Sequence, residues 1–565
     1  MPESIQLRNI TDITPSEVAL HKRVRSELDL NATIDESCKT CPKPVWFTAF
    51  FDGTGNNFQK DGNRSTDAST VKYSNIAKLW WFAYASKTKL GSRESVQYIE
   101  GVGTPCAKVG DSGAGVDMAG GMAVARKGED RIRWMLKQLD QFVTDRMPFV
   151  SQINLAVFGF SRGATQARAF VRMLTEALAY EQGDELIWRK AGLDLKQPRL
   201  VVYFMGLFDT VASVGFGGSA LEKMAPAIVS SIPIFGNVAG GTLRAIDKGG
   251  HAAWAKDLRI PSHVRRCVHY VAAHEVREKF PSDSVREDQV TPSNCFEVAY
   301  PGMHSDVGGG YGFNEQEGRS NALSRVPLNH MYIEAWNAGV PLRPPAEVMA
   351  AAGQLFEIPS DVAKVWTAYM GAAGSDLAPS SGRLETQIIW HMNRYYQWRA
   401  SRRRRLRDGR LVPTGGVDPY MRITDKEWDA DIVDVAESRT GWIRFSTYLH
   451  QEAIYAAYKG DWIGQLPKET RQAFDRFFDH YVHDSIAGFK KQMADAYVGS
   501  TERSRWSVNR QIFMGKRGDK FLFWRYEGWT PEYSGTKEAM LIRSTAPRES
   551  DVFGHPAIAS DSAVA

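Results

Sequence analysis

Ile153-Asn154-Leu155-Ala156-Val157-Phe158-Gly159-Phe160-Ser161-Arg162-Gly163-Ala164 is the stretch that decides the fold. The apolar run from Ile153 to Phe158 reads as a buried strand, and Ala164 to Ala179 has the small and apolar residues of a helix. Between them stands Gly-Phe-Ser-Arg-Gly, the G-x-S-x-G spacing of a nucleophile elbow. Such a turn lifts a serine hydroxyl above the edge of a sheet, and the flanking glycines let two backbones pass closely. A tight glycine turn with a solvated serine is the bland alternative. The uninterrupted strand before it and the Ala-rich helix after it argue for the elbow.

Outward from this point the same alternation repeats. Val45 to Phe51 is an apolar run ending in Asp52-Gly53-Thr54-Gly55-Asn56-Asn57, and Val96 to Glu100 is a short strand ending at Gly101-Val102-Gly103-Thr104. Leu200 to Phe208, Cys267 to Ala273 and Phe296 to Tyr300 supply three later strands, while Val71 to Ser86 and Arg131 to Thr144 carry helical patterns. Strands alternating with helices predict an α/β fold, a mostly parallel sheet with helices on both faces and the strand C-termini along one edge. Chemistry belongs on that edge. From about residue 310 helical, aromatic-rich segments take over: Met349–Phe356, Val362–Met370, Leu384–Arg399, Gln472–Tyr481 and Ile486–Tyr497. The expected division is an N-terminal arm over 1–43, a catalytic domain over 44–330, a mainly helical accessory region over 331–546 and a flexible tail over 547–565.

The 565 residues are 43% hydrophobic and 24% charged, an ordinary soluble balance that excludes disordered, collagen-like and coiled-coil readings. Lys and Arg number 70 against 65 Asp and Glu, so the net charge of +5 does not by itself argue for nucleic acid or membrane. The five cysteines, Cys38, Cys41, Cys106, Cys267 and Cys295, form no disulfide framework and fit synthesis in a reducing cytoplasm. Cys38-Lys39-Thr40-Cys41 has no second pair at zinc spacing. The first residues lack the basic and apolar regions of a secretory signal peptide. Met224 to Leu243, the longest uncharged stretch, contains Pro226, Pro233, Gly236, Gly240 and Gly241. It is a poor spanning helix and a candidate apolar flap or buried crossover.

A serine becomes a nucleophile when a base takes its proton and a third group orients that base. On a sheet with such an elbow the partners follow in the order Ser, Asp or Glu, then His. The strand Val201 to Phe208 delivers Asp209 at its end, where an N-cap is the alternative role. Two histidines stand at plausible places for the base. His304 heads the glycine-rich run His304-Ser305-Asp306-Val307-Gly308-Gly309-Gly310-Tyr311, and His274 closes the preceding strand. His304 is favoured because an irregular glycine loop can return an imidazole over the elbow; His274 is the alternate. The oxyanion donors expected are the N–H of Arg162 and one from Gly53 or Thr54. No cofactor is called for: there is no G-x-x-x-x-G-K-S/T, and a metal shared by Asp52 and Asp306 is the weaker reading.

These five motifs, Phe51-Asp52-Gly53-Thr54-Gly55-Asn56, Gly101-Val102-Gly103-Thr104, Gly159-Phe160-Ser161-Arg162-Gly163-Ala164, Phe208-Asp209-Thr210-Val211-Ala212-Ser213 and His304 to Tyr311, occur in an order that resembles the α/β-hydrolase domain of bacterial type VI secretion lipase effectors. The resemblance covers about residues 45–312 and points to the class with Gly-Phe-Ser-Arg-Gly at the elbow. It implies an α/β-hydrolase-like fold and phospholipase A-type hydrolysis of membrane glycerophospholipids. It also implies synthesis in the cytoplasm, delivery by the secretion spike protein into a rival cell's periplasm, and a cognate immunity protein in the producer. The rival readings are an esterase or deacylase for a non-phospholipid ester, and a spike-delivered protein that binds lipid without cleaving it.

A lipase also needs a surface for the bilayer. Arg394 to Arg410 holds eight Arg against one Asp. Arg402, Arg403, Arg404 and Arg405 would face anionic headgroups, with Trp398, Tyr395 and Tyr396 in the headgroup layer. The alternative is a helix face paired with acidic neighbours. Nucleic acid is not a partner on this reading, since no RNA- or DNA-binding signature accompanies the run.

Overall fold

The computed structural model describes residues 5–29, 42–90, 93–113, 120–211, 253–371, 384–407, 462–485, 511–513 and 520–522, except 148, 184, 190–196, 256, 276, 278, 279, 288, 289 and 317 within them. The stretch Met224 to Leu243, the Cys38–Cys41 pair, the segment Ile486 to Tyr497 and the tail 547–565 lie outside the described residues.

The expected strands all form: β1 (Lys43–Phe51), β2 (Glu94–Ile99), β3 (Val150–Phe160), β6 (Arg199–Phe208), β7 (Cys267–Ala272) and β9 (Cys295–Tyr300). They pair in parallel, β2 on β1, β1 on β3, β3 on β6, β6 on β7 and β7 on β9. The strand containing the elbow is central, and side chains alternate across it. Leu155 and Val157 join the core shared with α4 (Gly120–Thr144) and α5 (Arg162–Leu178), whereas Ala156, Phe158 and Phe160 join the core on the other face with α3 (Asn75–Leu90). Burial on both faces is why the parallel strands read as continuous apolar runs rather than as alternation. Ala164, Ala167 and Ala169 are fully buried, so α5 packs closely on the sheet. The sequence predicts α5 running on to Ala179. The chain instead turns there into a hairpin, β4 (Ala179–Gln182) and β5 (Glu185–Trp188), which joins the start of β6 antiparallel.

After β9 come α6 (His304–Gly308), α7 (Arg325–Asn337), α8 (Pro345–Phe356), α9 (Ser360–Gly371), α10 (Leu384–Arg407), α11 (Trp462–Gln465) and α12 (Lys468–His480). They extend the core on the α3 side of the sheet, which runs without a break from Phe158 and Phe204 to Trp366, Tyr369, Trp398 and Phe478. The division expected at residue 330 thus falls inside α7, a helix buried along most of its length. The N-terminal arm is also packed: in α1 (Pro15–Asp29), His21 stacks on Trp336 at 3.9 Å and Arg25 lies over the Trp46 ring. Among the described residues no helix is long and apolar enough to cross a membrane.

Candidate active site

The elbow forms because two residues have no side chain. A Cβ on Gly159 would come within 2.5 Å of the Ala164 backbone, and one on Gly163 within 2.3 Å of the Phe51 carbonyl. Ser161 sits between them at φ 57°, ψ −126°, a region that costs a non-glycine residue about 1–3 kcal/mol. Its N–H donates to the Phe208 carbonyl at 3.0 Å, and its carbonyl accepts from Val211 at 3.2 Å. The serine is therefore fixed to the end of β6, where Asp209 follows.

Asp209 also has a positive φ, 38°, and its N–H donates to the Tyr270 carbonyl at 2.7 Å. Its Oδ1 accepts the Ala272 N–H at 3.0 Å, and its Oδ2 lies 2.6 Å from His304 Nδ1. With Nδ1 donating to the carboxylate, Nε2 of His304 keeps its lone pair. The ring lies between Phe160 and Phe280, with centroid distances of 4.6 and 5.2 Å. Burial in this apolar setting lowers the His304 pKa from its ordinary 6.5, while the Asp209 carboxylate opposes the shift. Ser161 and His304 are only 1% and 4% exposed, so charge developing between them is poorly screened.

The structure brings His304, not His274, to Asp209. His274 Nδ1 accepts the Gly302 N–H at 2.9 Å, and Nε2 meets the His391 carbonyl and Tyr369 hydroxyl at 3.3 Å. Buried among Tyr369, Tyr395 and Phe478, it has its pKa pushed down to about 4. It anchors the loop that leads into His304.

The Gly53–Thr54 turn is built by Asp52, whose Oδ1 accepts Gly53 N–H at 2.7 Å and Ser74 Oγ–H at 2.5 Å, and whose Oδ2 accepts the Tyr98 hydroxyl at 2.5 Å. Burial pushes the Asp52 pKa up to about 7. The expectation that Gly53 supplies an oxyanion N–H is corrected: that N–H is taken by the Asp52 carboxylate. The N–H of Thr54 and that of Arg162, at the first position of α5, meet no acceptor among the described residues. Arg162 Nε donates to Thr54 Oγ1 at 2.5 Å, joining the two turns.

Two further histidine–carboxylate pairs surround this centre and were not anticipated. His269 Nε2 accepts the Thr210 N–H at 3.0 Å and Nδ1 meets Glu297 at 2.7 Å, so the Asp209–Thr210 turn is held from behind. His483 Nδ1 bonds Asp306 Oδ1 at 2.6 Å, and the His483 N–H bonds Oδ2 at 3.0 Å, beside the Met303 N–H at 2.9 Å. Asp52 and Asp306, weighed above as a metal pair, thus bond to separate partners.

The basic segment lies elsewhere. Trp398 is 1% exposed and stacks on Phe478 at 4.9 Å, so it belongs to the core rather than to a headgroup layer. Tyr395 and Tyr396 are buried beside it. Arg402 pairs with Asp479 and Arg405 with Asp475, two acidic residues one turn apart on α12. Arg403 and Arg404 are half-buried on α10. The aromatic part of the membrane-surface expectation is overturned by packing, and Arg402 and Arg405 are engaged by carboxylates.

Among solved structures, an uncharacterized protein from Pseudomonas aeruginosa is 22% identical, with 87% of this chain and 71% of that chain covered and a TM-score of 0.52. It shares the fold. A Tle1 effector bound to the VgrG spike of the type 6 secretion system is 18% identical, with 63% of this chain and 87% of that chain covered and a TM-score of 0.38. No curated protein matches. The T6SS Tle1-like phospholipase effector catalytic domain matches residues 47–191 and 182–334, half of the chain, including Ser161, Asp209 and His304. With the sheet, the elbow and the ordered motifs in place, the chain belongs to the Tle1-like phospholipase effectors of the type VI secretion system.

Proposed function

We propose that the protein is a serine-dependent phospholipase of A type that cleaves acyl esters of membrane glycerophospholipids. The observation that carries the reading is the 2.6 Å bond from His304 to Asp209 at the strand end beside the strained Ser161. Ser161 Oγ attacks the ester carbonyl carbon while His304 Nε2 takes the hydroxyl proton. Asp209 holds the ring in the correct tautomer and stabilises its cationic form. The N–H groups of Arg162 and Thr54 receive the oxyanion, each contributing about 3 kcal/mol to the transition state. Collapse breaks the ester bond, and the leaving lysophospholipid oxygen takes the proton from His304. Water then enters, gives a proton to the same nitrogen and attacks the acyl-serine, which releases the fatty acid and restores the hydroxyl.

Family membership supports the wider role: an antibacterial effector made in the cytoplasm, loaded on a secretion spike, delivered to the target-cell periplasm and neutralised in the producer by an immunity protein. The test is release of fatty acid and lysophospholipid from vesicles of defined composition. Ser161→Ala should lower turnover about a million-fold while the melting curve stays native, as for other triads. Retained turnover in the folded variant would end the mechanism.

A further inference from the structure

The cation that follows the candidate nucleophile meets no carboxylate among the described residues. Arg162 is half-buried, and apart from the Nε bond to Thr54 its guanidinium meets no acceptor among the described residues. Burial, joined by the charge of a second guanidinium, that of Arg131, pulls its pKa down to about 10. Two neighbouring buried arginines are satisfied. Arg168 donates to the carbonyls of Leu258, Asp283 and Ser284, and Arg131 to the Asp111 carboxylate and four backbone carbonyls. Removing a cation from water without a partner is unfavourable. The position of Arg162 makes sense when an anion arrives with the substrate.

Geometry says where that anion sits. The bond to Thr54 lays the guanidinium across the gap between the first turn of α5 and the Gly53–Thr54 turn, the gap flanked by the two uncommitted N–H groups. Nη1 and Nη2 remain as a two-pronged donor. The N-terminus of the 17-residue α5 adds partial positive charge in the same place.

We propose that the Arg162 guanidinium is a phosphate subsite, whose Nη1 and Nη2 receive the phosphodiester of a glycerophospholipid while its acyl ester lies on Ser161. The inference rests on the acyl-hydrolase reading above and names what selects phospholipids over neutral acyl esters. A planar guanidinium matches two phosphate oxygens at once, with charge-assisted bonds. In a glycerophospholipid the phosphate is only a few bonds from the ester, within the span of one side chain next to the nucleophile. Thr54 orients the fork before the lipid arrives, which reduces the cost of ordering it on binding.

Binding is measured first, because it needs no turnover. Ser161→Ala protein is titrated with detergent micelles that carry either a diether phosphatidylcholine, which has no ester to cleave, or the diether glycerol of the same chains. The phosphate-bearing lipid should bind about ten-fold or more tightly, and Ser161→Ala/Arg162→Gln protein should bind the two alike. Equal binding by the Ser161→Ala protein overturns the proposal, as does a preference that survives Arg162→Gln in a natively melting protein. Glycerophosphocholine should compete for the site; competition by inorganic phosphate alone overturns the lipid assignment. In turnover, Arg162→Gln should lower kcat/KM for phospholipid about 10- to 100-fold more than for diacylglycerol in the same micelles, with part of the selectivity restored by Arg162→Lys. Equal losses on both lipids would mean that Arg162 only supports the Thr54 turn, and the proposal fails. Failure of the acyl-hydrolase reading shows differently: the wild type then releases fatty acid from neither lipid, while the binding preference is still read.

Discussion

Changing Asp209 to Asn alters one atom and should reverse the tautomer of His304. Both carboxylate oxygens are engaged, Oδ1 with the Ala272 N–H at 3.0 Å and Oδ2 with His304 Nδ1 at 2.6 Å. An amide offers a single acceptor. With its oxygen left on Ala272, its NH2 faces Nδ1, the ring must accept there, and the proton moves to Nε2. That nitrogen then has no lone pair for Ser161. The opposite amide rotamer sets two donors against each other at Ala272 and leaves buried groups unsatisfied, at about 1–3 kcal/mol. The structure therefore favours the wrong tautomer, and kcat should fall by about 10⁴, about 5 kcal/mol of transition-state stabilisation. The assay is fatty-acid release from vesicles, with kcat measured beside a thermal melt. The double variant Ser161→Ala/Asp209→Asn should be no slower than Ser161→Ala alone, since the residues act as a unit. A natively melting Asp209→Asn protein with kcat within ten-fold of wild type would refute the reasoning.

Three further outcomes are expected. His304→Ala should be as inactive as Ser161→Ala, whereas His274→Ala should chiefly lose stability, by about 2–4 kcal/mol for an emptied and partly unsatisfied buried site, with kcat per folded molecule falling far less; a folded His274→Ala protein that is dead would reverse the assignment. Because burial lowers the His304 pKa, kcat/KM should rise with pH along an acid limb whose midpoint lies below 6.5, and a midpoint above that value contradicts the site as described. Asp52 has its pKa raised to about 7 from 3.8, so its contribution to stability is fully present below about pH 4 and is lost as pH rises through about 7. Asp52→Asn removes that dependence, and the urea stability of the variant relative to wild type should climb by about 1.4 kcal/mol per pH unit in that window; an unchanged difference between pH 4 and 7 would count against it.

What the sequence made legible was local. The core strands are largely apolar runs, β1 and β6 each run straight into an aspartate, and the elbow needs only the two glycines around Ser161, so strand positions and candidate nucleophile follow from short patterns. His304 was separable from His274 by the glycines after it, and the coordinates give the physical difference: one ring faces a carboxylate, while the other has both nitrogens committed to loop and helix groups. Pairings across long stretches of chain were not legible. Nothing near Trp398 tells whether it meets lipid or Phe478, and the arginines around it look unopposed until Asp475 and Asp479 arrive from another helix. The capture of Gly53 N–H by its own neighbour was hidden for another reason. A carboxylate before a glycine turn looks the same in sequence whether it aims at solvent, a metal or the backbone beside it.

The bond between His483 and Asp306 spans 177 positions, yet it fastens the short helix that begins at His304. During synthesis that fastening is among the last to be made: a ribosome that has just finished the sheet, elbow and histidine loop has still to produce the residue that clamps the loop. A fragment ending after the sheet strands would carry Ser161, Asp209 and His304 and lack the clasp. Trimming the protein to its hydrolase half is thus a different operation from removing an appendage, because His483 is part of what holds the helix that carries His304.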